Sequence, residues 1–214
     1  DWSSDVCSSD LMNRRQFLKN MIWLGAGLTF GSQLLRQQAA EAAWNVAGQG
    51  IGQDPLLGIP IRETNLSFTS LENRKTTDAI VIHHIGNTDR DVSAEEVHQW
   101  HLNNGWAGIG YHFVIRKDGT IERGRPMDMV GAHCYQNNWH TLGVNIVGDF
   151  MTHQPTQAQM DSAATLLAAL CRYYRINPSR QTIRGHREYN ATDCPGDNLY
   201  YKLTQLTDQT KAKF

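Results

Sequence analysis

The chain has 214 residues, 40% of them hydrophobic, and sets 20 lysines and arginines against 21 aspartates and glutamates for a formal net charge of −1. That length fits one globular domain with extensions, and the balanced charge excludes the basic surface that non-specific nucleic-acid binding needs. Four cysteines without framework spacing exclude a small disulfide-stapled scaffold.

Residues 1–11, DWSSDVCSSDL, are rich in serine and aspartate, lack periodicity and precede Met12; they read as a non-native leader, with translation expected from Met12. Residues 12–43 open with Arg14-Arg15, continue through Gln16, Phe17, Leu18 and Lys19, and run on in an apolar stretch from Met21 to Leu35. This is the pattern of a twin-arginine-type export signal, and AAEAA supplies small residues for cleavage near Ala42 or Ala43. Gly25, Gly27, Gly31 and Gln33 break the run, which falls short of the roughly 20 apolar residues of a membrane span. The reading is therefore export to the periplasm or cell wall, with no stable membrane span after cleavage. Loss of Cys7 with the leader leaves Cys134, Cys171 and Cys194, an odd number that implies at least one thiol outside any disulfide.

Residues 44–75 hold the glycines of AGQGIG, two prolines and no sustained period, and read as a linker draped over the domain. The domain itself is expected over residues 76–214. Asp78–Gly86, DAIVIHHIG, is apolar on both alternation faces, as in a strand covered on both sides by helices. VSAEEVHQWHLNNG predicts a helix with Ser93 and Glu96 as a capping box, a stripe of Val97, Trp100 and His101, and a stop at Asn104-Gly105. GYHFVIRKDGTIERG predicts a hairpin with Tyr111, Phe113 and Ile115 on one face and a turn at Lys117-Asp118-Gly119. LGVNIVGDF is a further inner strand. A second capping box, Thr156 and Gln159, opens a helix to about Arg175 with Met160, Ala163, Ala164, Leu167, Leu170, Cys171 and Tyr174 at helical spacing. QTIR is a short strand, and Asp197 is expected to cap a last helix bearing Leu199, Leu203 and Leu206. The fold class is α/β: a single domain with a central mixed β-sheet flanked by helices.

IRGHREYNATDCPGD places an imidazole, His186, and a thiol, Cys194, on one irregular loop stiffened by Pro195 and Gly196. Zinc needs at least one more protein ligand. The best source is the end of the buried strand, where a ligand is held without loop entropy. His83 and His84 are adjacent there and point to opposite faces, and the pattern alone does not choose between them. His98 and His101, one helical turn apart, read as one surface and one boundary histidine. His112 reads as a packing residue, His140 and His153 as loop residues, Cys171 as a buried helix residue, and Cys134 as a buried or simply unligated thiol.

DAIVIHHIG, QWHLNNGWAGIGYHFVIRKDGTIERGR, GAHCYQNNWHTLGVNIVGDF and GHREYNATDCPGDNLY together resemble the zinc-dependent N-acetylmuramoyl-L-alanine amidases, which include the phage lysozyme-type amidases and the peptidoglycan recognition proteins. The resemblance spans roughly Thr76 to Leu206. It implies that His83, His186 and Cys194 hold Zn2+, with His84 as a neighbour lining the site. Tyr111 matches a catalytic tyrosine, and Trp106, His133 and Asn138 match positions lining the substrate groove. Two positions depart from parts of the family. Where phage lysozyme-type members carry a lysine two residues before the cysteine, this chain has Thr192, as catalytic peptidoglycan recognition proteins do. Where some recycling and outer-membrane amidases carry a glutamate and an aspartate ligand, it has Asn145 and Cys194, so no glutamate is assigned as general base.

Three protein ligands leave one tetrahedral position open, the arrangement of a catalytic site. The implied reaction is hydrolysis of the amide between the lactyl group of N-acetylmuramic acid and L-alanine, with Tyr111 donating to the developing oxyanion and Thr192 positioning water or amide. Peptidoglycan or muropeptides are the implied partners, and a monomer is expected. The alternatives are a non-catalytic peptidoglycan-binding module on the same fold and a zinc or cysteine peptidase acting on stem peptides.

Overall fold

The computed structural model describes residues 51–214; the leader and export segment read over residues 1–43, and the first part of the linker, lie outside them. The strands are β1 (Ile51–Gln53), β2 (Pro60–Arg62), β3 (Ala79–His84), β4 (Phe113–Ile115), β5 (Ile121–Arg123), β6 (Thr141–Ile146) and β7 (Ile183–Gly185). The helices are α1 (Ala94–Asn103), α2 (Gln157–Tyr174), α3 (Asp197–Tyr200) and α4 (Leu203–Lys213). One mixed seven-stranded sheet runs in the order β1-β2-β5-β4-β6-β3-β7. Its centre is parallel, with β6 between β4 and β3, and β7 beside β3.

β3 and β6 are buried along their whole length, as strands covered on both faces must be. Ile80 and Ile82 of β3, Phe113 and Ile115 of β4, and Leu142, Val144 and Ile146 of β6 pack on one face against Met160, Ala163, Leu167 and Leu170 of α2 and Leu203 and Leu206 of α4. The opposite face carries a smaller cluster, in which Ala94 and Val97 of α1 meet Ile109, Val114 and Val147. α2 opens with the full capping box of Thr156 and Gln159 and closes with Arg175 in the left-handed region. No helix among the described residues is long and apolar enough to cross a membrane.

Several local expectations need correction. Residues 51–62, read as linker, add two strands at one side of the sheet, β1 at its edge and β2 next to it: Asp54 turns the chain by accepting from the amides of Leu56 (2.9 Å) and Leu57 (2.6 Å), and Leu57, Ile59 and Ile61 are buried in the main core. Three-residue strands carry too little period to be read; β2 is made by its pairing with β5, and β1 by its pairing with β2. Tyr111 does not share the face of Phe113 and Ile115 but packs with the α1 cluster, because β4 begins only at Phe113. At α1 the Ser93 side chain caps Glu96, but the Glu96 carboxylate turns to Arg90 instead of completing the box. His98 is buried along with His101: its two ring nitrogens meet the Ile109 amide (3.1 Å) and the Ser67 carbonyl (3.1 Å). Asp197 is the first residue of α3, not its cap, and its carboxylate accepts from Arg187 at 2.6 Å. The expected last helix is two, separated at Tyr201-Lys202.

Candidate metal centre

The site is built where two parallel strands end together. β3 and β7 pair with Ile82 opposite Gly185, so the next residues, His83 near the end of β3 and His186 just past β7, stand side by side with ring centroids 4.5 Å apart. A single 3-10 turn, His186–Glu188, follows β7 at once; the Glu188 carboxylate anchors it by accepting from the Gly185 amide at 2.9 Å. The Arg187 amide donates to the Cys194 carbonyl at 2.9 Å, which closes the loop and returns the thiol to the histidines. Gly196 lets the loop leave: its φ is +82°, and a β-carbon there would stand 2.5 Å from the Phe150 carbonyl carbon.

The donor atoms of His83, His186 and Cys194 all lie within 4.8 Å of one another, and all three side chains are buried. Cys194 Sγ is 3.6 Å from His83 Nδ1 and accepts from the His84 amide at 3.5 Å. A tetrahedral ion with bonds of about 2.0–2.3 Å needs ligand atoms roughly 3.3–3.8 Å apart, so the cage matches in chemistry and nearly in size. Two imidazoles and a thiolate suit zinc and disfavour magnesium or calcium, which prefer oxygen.

The outer nitrogens of both histidines are held. His83 Nε2 faces His133 Nδ1 at 3.0 Å, and His186 Nε2 faces Asn190 Oδ1 at 3.1 Å. If these outer nitrogens carry the protons, each Nδ1 keeps its lone pair for a metal. Burial drives the rings toward the neutral form that ligation requires. It pushes His186 down to about 4, against the Asn190 hydrogen bond, and holds His83 well below the usual histidine range, with His186 and His133 adding to the effect.

The other predicted site residues divide. Tyr111 lies beside the cage, its ring 5.0 Å from His83, and is half-buried. Trp106 is one step further out, its ring 4.6 Å from His101, which in turn is 5.6 Å from Tyr111. Thr192 Oγ1 accepts from the Cys194 amide at 3.2 Å. The His84 ring turns away from the cage: its Nδ1 accepts from the Phe150 amide at 3.2 Å, and only its main chain meets Cys194. His133 is buried behind His83, and Asn138 accepts from the amides of His133 and Cys134, both at 2.8 Å. The sequence reading missed Asn190, which also accepts from Cys134 Sγ at 3.3 Å and donates to the Tyr135 carbonyl at 3.3 Å. Its signal was the four-residue spacing from His186. It also missed Gly143, whose missing side chain makes room for the His133 ring.

Residues 73–197 match the family model described as N-acetylmuramoyl-L-alanine amidase. The chain belongs to this family. It is 35% identical over 140 residues to the endolysin of Escherichia phage T7, covering 63% of this chain and 90% of that protein. Among solved structures, the amidase LysCS from Clostridium intestinale superposes with a TM-score of 0.63 at 33% identity, covering 69% of this chain and 95% of that one. A mutant of Drosophila PGRP-LB in complex with tracheal cytotoxin superposes with a TM-score of 0.60 at 26% identity, covering 67% and 92%. The two solved structures share the fold of this chain.

Proposed function

We propose that this protein is a zinc hydrolase that cleaves the amide between the lactyl group of N-acetylmuramic acid and the L-alanine of peptidoglycan. One observation carries the reading: a chain of the N-acetylmuramoyl-L-alanine amidase family gathers two imidazoles and a thiol into one buried cage at the end of its central sheet. Zinc held by His83, His186 and Cys194 would supply Lewis-acid polarisation and a more acidic water.

The chain's own groups do the remainder. His133 and Asn190 fix the orientation of the two ligand rings. Tyr111, against the His83 ring, is assigned as the donor to the oxygen that gains charge as the amide is attacked. Thr192 holds the Cys194 amide with its oxygen and keeps its hydroxyl proton for water or the scissile amide. Trp106 offers a half-buried aromatic surface for substrate. His133 and Asn138 are assigned to the wall of the site, since protein groups engage their side chains, and His84 borders the cage through its main-chain amide alone. The proposal extends to place: a monomer, exported by the segment 12–43 behind the 1–11 leader, working on peptidoglycan in the periplasm or cell wall. Replacing Arg14 and Arg15 by lysine should then keep the protein in the cytoplasm.

The test is digestion of purified peptidoglycan with mass analysis of the products. Free stem peptides beginning with L-alanine, absent with Cys194→Ala, are expected. Disaccharides that still carry their peptides would refute the assignment, and binding without any new termini would favour the non-catalytic module.

A further inference from the structure

Asn145 is a polar residue in the interior of β6 and is wholly buried. Neither its Oδ1 nor its Nδ2 meets a hydrogen-bond partner among the described residues. A buried amide with both ends unpaired is costly, and an apolar side chain of the same shape would serve the strand better. The position is specific. Asn145 pairs in register with His83 on one side and Val114 on the other. Register partners on neighbouring parallel strands, about 4.8 Å apart, send their side chains to the same face. Leu142, Val144 and Ile146 point into the α2 core, so Gly143 and Asn145 point the other way, into the layer that holds the His133 and His83 rings. An unpaired carboxamide thus adjoins the ligand cage.

Resting on the zinc reading above, we propose that Asn145 is a positioning residue: its carboxamide is the hydrogen-bond partner of the solvent molecule that completes the coordination left open by His83, His186 and Cys194. The pairing suits the chemistry, since a carboxamide can both donate and accept and a solvent oxygen both accepts and donates.

The experiment compares the full wild-type chain with Asn145→Leu in metal-free, zinc and cobalt forms. Metal-free Asn145→Leu should melt about 2–4 °C higher, because the unpaired amide is gone. It should still take up one equivalent of metal, yet show an altered cobalt visible spectrum, and kcat should fall about 10–100-fold with KM unchanged. A wild-type cobalt spectrum and kcat in this variant would overturn the assignment, and so would a lower melting temperature without metal, which would reveal a partner within the protein. If Asn145→Leu does not fold, Asn145→Asp keeps the shape without the donor; it should change the same spectrum, and an unchanged one overturns the proposal. A wild-type chain that takes up no metal overturns the zinc reading as well, whereas a metal-loaded wild type with indifferent variants overturns only the role of Asn145.

Discussion

His133 Nδ1 stands 3.0 Å from His83 Nε2, and its ring occupies the space beside Gly143, where a β-carbon would come within 2.5 Å of the imidazole Cγ. One ligand is therefore oriented by a second histidine that only a glycine admits. Removing an outer-shell partner of this kind typically weakens metal binding about 10–100-fold. His133→Ala should show that loss in a chelator competition assay while keeping its circular dichroism. Gly143→Ala should reproduce much of it without touching either histidine; wild-type zinc affinity in Gly143→Ala would count against this account.

Zinc should stabilise the folded chain through the cage alone. At a free concentration of 100 times Kd, one site adds about 2.7 kcal/mol. For a domain of this size that is a rise in Tm of roughly 5–10 °C. Thermal melts with and without zinc should show it for wild type and not for Cys194→Ala. A chelator should reverse it.

Tyr111→Phe removes the hydroxyl of the ring that packs beside His83 and leaves the packing of the α1 cluster in place. If Tyr111 donates to the developing oxyanion, kcat should drop about 10²–10³-fold. Metal content and Tm should stay near wild type. A drop in metal content of the same order would move Tyr111 from chemistry to support of the cage.

The metal-free protein should lose stability in mild acid. Burial pushes His101 down to about 3, and burial together with the Arg74 guanidinium holds His112 well below the usual range. In the unfolded chain both titrate near 6.5. The folded state therefore binds fewer protons below that pH. The stability these groups contribute is fully present above about 6.5 and is lost as pH falls, down to about 3 for His101. Urea unfolding between pH 7 and 4 should show the slope. His101→Gln should reduce it by up to one proton, about 1.4 kcal/mol per pH unit.

Asn190 touches His186, Cys134 and the Tyr135 carbonyl at once. Asn190→Ala should lower zinc affinity with a smaller effect on Tm, and Asn190→Asp should restore part of it by keeping the acceptor for His186. Isothermal titration of the three proteins checks the order.

Much of this was written locally. The apolar runs of DAIVIHHIG and LGVNIV, the Thr156 and Gln159 box and the α2 stripe each specify their own element, because caps and periodicity act within a few residues. The same holds for the ligand types on the His186–Cys194 loop. Which strand histidine joins them was open to pattern, and only resemblance singled out His83. In the fold the choice is made by the pairing of Ile82 with Gly185, which sets His83 next to His186 and turns the His84 ring to Phe150. His133, Gly143 and Asn145 act across distant stretches of chain, as do the strands β1 and β2 at one side of the sheet. Their roles come from sheet register and packing between segments far apart in sequence, and short-range spacing carries no record of either.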